Sequence, residues 1–170
     1  GLQLPFLFQT SGVAALVSEE LYPQYLKSEY ERMGVYLAHC DSTTANDILS
    51  RTPIRTPDQM RGLKVRSTGG LLADILVQVG AIPVVMAAAE AYTAFQRGII
   101  DAVALSVPDM AAYRLYETGK FYTRIRLSHT VIQYCLNPRT FDSLPEDVRV
   151  QLYNLYRVRG QVANRNFYGG

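Results

Sequence analysis

Tryptophan is absent, cysteine and histidine occur twice each, and charges of neither sign gather into a run. These shortages exclude a good deal. With no basic cluster and a net charge of only +2, the chain lacks the electrostatic footprint of a nucleic-acid or membrane-surface binder. No apolar run approaches the roughly 20 residues that cross a bilayer as a helix. Cys40 and Cys135 stand too far apart for a zinc cluster or a CxxC redox pair. They read as two buried small apolar residues; a disulfide between them stays open, and spacing does not decide it. GxSxG, HExxH, P-loop and GxGxxG motifs are all missing, so no catalytic residue, metal or cofactor is expected. His39-Cys40-Asp41 invites a cysteine-hydrolase reading, but neighbours on a strand point to opposite faces and cannot cooperate.

What is present is a globular composition: 170 residues, 48% apolar and 19% charged. That suits one ordinary domain or a pair of small lobes. Twelve tyrosines dominate the aromatic content; they supply apolar area with a polar tip and suit cleft walls and half-buried helix faces. The chain starts at Gly1 with no basic-then-apolar leader, which fits a removed leader or a piece of something longer.

Leu2, Leu4, Phe6 and Phe8 alternate as an edge strand, where Pro5 is tolerated. Thr10 or Ser11 caps a long helix with apolar positions Val13, Leu16, Val17, Leu21, Tyr25 and Leu26, broken near Tyr22 by Pro23 and closed by Gly34. Residues 35–40 read as a strand, 41–46 as a polar loop and 48–50 as a short extended segment. Thr56, Pro57 and Gln59 make a capping box, and residues 63–66 alternate as a strand. Gly69-Gly70 turns into a helix that Gly80 closes. Residues 82–85 are extended, 87–97 helical and 99–105 a buried strand. Pro108 and Asp109 open a helix through Tyr116, closed by Gly119, and Tyr113, Tyr116 and Tyr122 form a packing stripe. Residues 124–136 are extended, 137–144 a connection, and 145–168 one long helix capped by Ser143, with Gly169-Gly170 as a tail. Strand–helix alternation with Gly-punctuated turns predicts an α/β fold with largely parallel pairing.

The stretch from Arg55 to Asp101 is the most informative. It sets Arg66 at a strand end, facing the helix that opens after Gly69-Gly70. A guanidinium makes two parallel charge-assisted bonds to a carboxylate, which lysine cannot reproduce. Backbone N–H groups at the helix start add to such an anion site. Three passages carry a likeness to a known family: PIRTPDQMRGLKVRSTGG (residues 53–70), GAIPVVMAAAEAYTAFQRGIIDA (80–102) and TFDSLPEDVRVQL (140–152). LPFLF near the N-terminus adds to it. Together they resemble the DctP-like solute-binding proteins of tripartite ATP-independent periplasmic (TRAP) transporters, in the family's order and over nearly the whole chain.

The resemblance implies a bilobal, periplasmic-binding-protein-like α/β fold, lacking the family's first βαβ portion. Residues 1–36 would belong to the first lobe and 37–127 to the second. Residues 128–170 would return to the first lobe and end in a long helix packing across both. It implies a periplasmic receptor that closes between its lobes on a small organic acid and delivers it to TRAP membrane subunits. Arg66 matches the family's carboxylate-binding arginine, with Ser67 beside it. The family's aromatic contact falls at Ala88, and its polar contact falls near Leu105 and Ser106. A second arginine has no counterpart among residues 43–49. These departures imply a roomier, less polar pocket, suited to a monocarboxylate with an apolar or bulky body. Glu90, Tyr92 and Asp101 match family positions and are read as scaffold. Two rival classes share the pattern: a ligand-sensing signalling module, and a small-molecule enzyme on a related two-lobed fold.

Overall fold

The computed structural model describes residues 4–166. Leu2, the end of the last helix at Tyr168, and Gly169-Gly170 lie outside these. In chain order the elements are α1 (Ser11–Leu21), a π-helical turn (Tyr22–Leu26), α2 (Lys27–Arg32), β1 (Tyr36–Ser42) and β2 (Asn46–Ser50). A short 3-10 turn (Pro57–Met60) precedes β3 (Lys64–Ser67), α3 (Leu71–Gln78), β4 (Ile82–Val85), α4 (Ala88–Gln96), β5 (Ala102–Ser106) and α5 (Val107–Ala112). A second 3-10 turn (Leu115–Glu117), β6 (Phe121–Thr123), β7 (Val131–Leu136), α6 (Pro138–Asp142) and α7 (Glu146–Asn166) complete the chain. Contacts divide it into two units, one built on Thr44–His129 with the residues just before Phe8, the other on Phe8–Thr43 and the chain from Thr130.

The unit built on Thr44–His129 is a three-layer α/β/α arrangement around a five-stranded sheet ordered β4-β3-β5-β2-β6. β3 pairs in parallel with β4 and β5, whereas β2 runs antiparallel to both β5 and β6. The sheet is therefore mixed, not largely parallel. Parallel pairing needs a crossover helix, and α3 and α4 supply only two. Side-chain alternation separates two cores. Val65, Ala102, Ala104 and Ile48 point to one face, with Leu72 and Leu76 of α3. Val103, Leu105 and Leu49 point to the other, with Ala91, Ala94 and Phe95 of α4 and Met110 of α5.

Short helices in this unit end by local rules. The Gly80 and Ala81 N–H groups reach back to the Val77 and Leu76 carbonyls, and those of Gly98 and Ile99 to the Phe95 and Ala94 carbonyls. Both are Schellman closures, as is Gly34–Val35 onto Glu31 and Tyr30 in the other unit. The expected box at Thr56 forms, with Gln59 Oε1 accepting from the Thr56 N–H at 3.3 Å. Arg51 donates to the Phe95 and Gln96 carbonyls and lies over the Phe95 ring, 5.3 Å from its centroid.

Asp47, buried in β2, accepts the Ile125 and Arg126 N–H groups at 2.8 Å each and the Tyr122 hydroxyl at 2.5 Å. This ties down a crossing segment in which Arg126 adopts φ 49°, and the expected extension over residues 124–130 is irregular as a result. Burial, then the Asp47 hydrogen bond, pushes the Tyr122 hydroxyl up to about 12. Tyr113, Tyr116 and Tyr122 are exposed rather than a packing stripe.

α5 stops at Ala112, short of Tyr116, because Arg114 takes the left-handed conformation at φ 56°. Gly119, expected to close that helix, has a different task. A Cβ there would lie 2.5 Å from Leu49 Cγ and 2.8 Å from Phe95 Cε1, so only hydrogen fits where backbone meets core. Residues 99–101 precede β5, and Asp101 Oδ2 accepts the Lys64 N–H at 2.9 Å, anchoring the start of β3.

The other unit pairs β1 with β7 in an antiparallel ribbon, with a bulge between Leu37 and His39. β1 runs to Ser42, so the expected polar loop shrinks to residues 43–45. Thr10 caps α1 by accepting from the Val13 N–H. The buried face of α1 is Ser11, Ala14, Ala15 and Ser18, while Val13, Leu16 and Tyr25 are exposed. Small residues let α1 approach β1 closely, around Cys40 and Val131, while Val13 and Leu16 of the expected apolar set face out. Pro23 breaks the ladder as expected, through one π turn in which the Lys27 N–H bonds to the Tyr22 carbonyl. Residues 4–8 turn instead of forming a strand, since Phe6 sits at φ 58°. Part of the expected connection is α6, capped by Asn137. Ser143 closes α6 and donates to the Thr140 carbonyl, so it does not cap α7.

Gly119→Ala is expected to cost about 1–3 kcal/mol of stability through overpacking, read as a lower urea midpoint. Gly12→Ala, in a helix with nothing within 4 Å of the new Cβ, should shift it the other way, by up to about 1 kcal/mol. Equal midpoints for the two would contradict the packing role of Gly119.

Candidate functional site

Arg66 is the largest fully buried side chain in the described residues, at 2% exposure. Its backbone sits in the middle of three parallel strands, level with Val84 of β4 and Val103 of β5. Val65 points to the α3 face, so alternation sends Arg66 to the α4–α5 face. There Nε donates to the Met86 carbonyl at 3.1 Å, just before α4. Nη1 is buried with no hydrogen-bond partner. Burial pulls the guanidinium below its ordinary pKa, while Asp109 and then Tyr113 oppose that pull. Arginine stays charged in any such setting. A buried cation with a bare N–H costs about 1–3 kcal/mol or more, and an anionic oxygen docked on it would remove that cost.

The other expected contacts lie on β3, α4 and β5. Ser67 is fully buried and its hydroxyl accepts the Gly69 N–H at 3.3 Å. Gly70, at φ 57° and ψ −143°, holds a backbone conformation open almost only to glycine and launches α3. Ala88 begins α4 and is half-buried against the second core, into which Leu105 packs. Ser106, at the end of β5, caps α5 and donates to Asp109 Oδ2 at 2.5 Å. Glu90 and Tyr92 serve the scaffold: Glu90 accepts the Ala87 N–H at 3.0 Å, and Tyr92 donates to Glu117 at 2.8 Å. Asp109 and Tyr113, which act on the Arg66 charge, carry no sequence signal for it; Asp109 reads only as a helix opener after Pro108. Met86 contributes through its carbonyl, which side-chain patterns do not reveal.

Two cavities lie away from Arg66. One, of about 240 Å³, opens within the first core among Ile48, Ile54, Met60, Leu76 and Leu127. The other, of about 270 Å³, is lined by Glu19, Tyr22, Leu37, His39, Cys40 and Tyr153. Beside the second, His39 Nδ1 donates to Glu19 Oε1 at 2.5 Å and the ring stacks on Tyr134. Cys40 packs into the small core with Ala14 and Val131, and burial pushes its thiol up to about 12. Asp41 accepts the Ser42 N–H. The three neighbours thus serve separate partners, and a protonated Cys40 is no nucleophile. Both cysteines are free; Cys40 is buried as expected, whereas Cys135 is exposed.

The model of bacterial extracellular solute-binding protein family 7, the DctP family, matches residues 2–168. The chain belongs to this family. Its α/β fold matches that of the TRAP periplasmic solute-binding proteins. A structure from Bordetella bronchiseptica, a TRAP periplasmic solute-binding protein with bound (R)- and (S)-mandelate, superposes with a TM-score of 0.84 at 25% identity, covering 96% of this chain and 53% of that one. The C4-dicarboxylate-binding periplasmic protein DctP of Rhodobacter capsulatus is 30% identical over 88% of this chain and 45% of its own length. The 2,3-diketo-L-gulonate-binding periplasmic protein of Escherichia coli is 27% identical over 94% of this chain and 49% of its own. The chain spans about half the length of the curated relatives it matches. No described helix is long and apolar enough to cross a membrane.

Arg66→Met, which replaces a half-satisfied buried cation by an apolar chain of similar reach, should hold or raise the urea midpoint. A large loss would show that Arg66 is a structural member of the core. Under mildly alkaline labelling, a thiol reagent should modify Cys135 and spare Cys40 until unfolding, as peptide mapping would reveal.

Proposed function

We propose that this chain supplies the carboxylate-gripping part of the periplasmic solute-binding subunit of a TRAP-type secondary transporter. Arg66 is the clamp, with Ser67, Ala88, Leu105 and Ser106 around the bound acid. The observation that carries the reading is the buried guanidinium with Nη1 unpartnered. Such a group is held against its solvation and hydrogen-bonding preference by the packing around it. A carboxylate supplies what it lacks, with charge-assisted bonds strengthened by the low local dielectric. The family is one of solute-binding proteins, and the relatives above are named for, or hold, organic acids.

The ligand is a small organic acid, and among these a monocarboxylate. Asp109 and Tyr113, not a second cation, are the ionisable groups that act on Arg66. A cation already under the influence of one carboxylate suits a ligand with a single carboxylate better than one with two. Membrane subunits of the transporter are the partners, and they receive the acid from the closed receptor.

In the full-length protein, Arg66→Ala should weaken organic-acid binding by about 2–5 kcal/mol, because the anion loses a desolvated partner. Arg66→Lys should weaken it too, since an ammonium cannot replace the planar fork. Calorimetry showing wild-type affinity in both variants would discard the clamp.

A further inference from the structure

The cavity of about 270 Å³ belongs to the unit built on Phe8–Thr43 and the chain from Thr130, and the Arg66 clamp leaves it unused. Two backbone irregularities shape its wall. The π turn at Pro23 sets Tyr22 there, and the bulge between Leu37 and His39 re-aims β1 beside it. Glu19 of α1 and Tyr153 of α7 line it as well. His39, a further lining residue, is only 6% exposed. Its Nδ1 donates to Glu19 Oε1 at 2.5 Å, and its Nε2 is buried with no hydrogen-bond partner among the described residues. An imidazolium would bury a second, bare N–H here. A neutral ring buries only a lone pair, the better tolerated of the two. The ring is therefore the Nδ1–H tautomer, and Nε2 is an acceptor. A carboxylate and an idle acceptor, joined by one short bond, thus border a cavity whose other walls are aromatic and aliphatic. No lysine or arginine is among the described residues that line it.

We propose that this cavity is a second ligand site, which takes a small organic ammonium ion with an apolar body. The ammonium donates to His39 Nε2, and Glu19 balances its charge. The body lies among Leu37, Tyr22 and Tyr153, whose ring faces attract cations. Size agrees with this class. Roughly 150 Å³ is enough to hold benzene, so a cavity of about 270 Å³ admits a ring or short chain that carries an aminomethyl group. An organic acid would meet the Glu19 charge and a lone pair instead of a donor. The ligand held by Arg66 therefore does not compete here, and the site stands whether or not the clamp does.

The test uses the full-length protein, with benzylammonium as the probe and benzyl alcohol as its neutral match. In calorimetry at neutral pH the wild type should bind the ammonium at least about tenfold more tightly than the alcohol, the size of a hydrogen bond to a charged group. Glu19→Gln keeps an oxygen for the Nδ1–H and removes the charge, so the ratio should fall to within about threefold. His39→Phe keeps a ring beside Tyr134 and removes the acceptor, and should weaken the ammonium by about tenfold. Tyr153→Leu removes a ring face and should weaken it severalfold. Glu19 and Tyr153 are partly exposed, so urea midpoints close to wild type are expected for their variants. If His39→Phe does not fold, those two carry the test. Failure of the wild type to bind benzylammonium overturns the proposal, as does equal affinity for the alcohol. Ammonium binding that ignores both Glu19→Gln and Tyr153→Leu places the probe elsewhere and overturns it too.

Discussion

A guanidinium buried to 2% exposure with one nitrogen bonded and another bare is the constraint around which this unit is organised. Leaving a charged donor unsatisfied in a core is among the more costly things a fold can do. The surrounding structure must therefore over-determine the position of Arg66. It does so with the middle strand of three parallel ones, whose neighbours fix its backbone on both sides. The Met86 carbonyl then holds Nε and leaves the outer nitrogen free to act. The cost is the kind that binding sites carry, since a group satisfied within the protein has nothing left to offer a ligand.

Holding that strand is the work of short, self-terminating helices. α3 and α4 each end in a Schellman closure and return the chain to the next parallel strand within a few residues. Asp101 pins the first residue of β3, and Gly70 sets the exit after its last. Strand register in a sheet buried on both faces leaves little freedom, because a slip of one residue would exchange Val65 and Arg66 between the two cores.

Local grammar of this sort was readable from the chain. The box at Thr56, the glycine stops at Gly34, Gly80 and Gly98, and the span of β4 all follow from nearest-neighbour chemistry. So did the family, through motifs spread across residues 53–70, 80–102 and 140–152. What could not be read depends on distant partners. Periodicity gave the first helix an apolar set that includes Val13 and Leu16, yet the buried face of α1 is Ser11, Ala14, Ala15 and Ser18, because close approach rewards small side chains there. Gly119 looked like a helix stop; it is glycine because Leu49 and Phe95, 70 and 24 residues earlier in the numbering, crowd its backbone. β2 read only as a short extended segment, and its antiparallel pairing is set by where β5 and β6 run. Arg66 stood out as a candidate from its type and place, whereas Asp109 passed for an ordinary helix opener, because its influence on the Arg66 charge arises only once β3 and β5 are side by side.

Asp47 shows how far such dependence reaches. Its one carboxylate receives two backbone N–H groups and a phenol from a segment 75 to 79 residues away. An amide in its place would offer a single acceptor oxygen to three donors. Position 47 and residues 122–126 should therefore be inherited as a block. Among descendants of this chain, drift at one end would be tolerated only where the other had been rewritten to match.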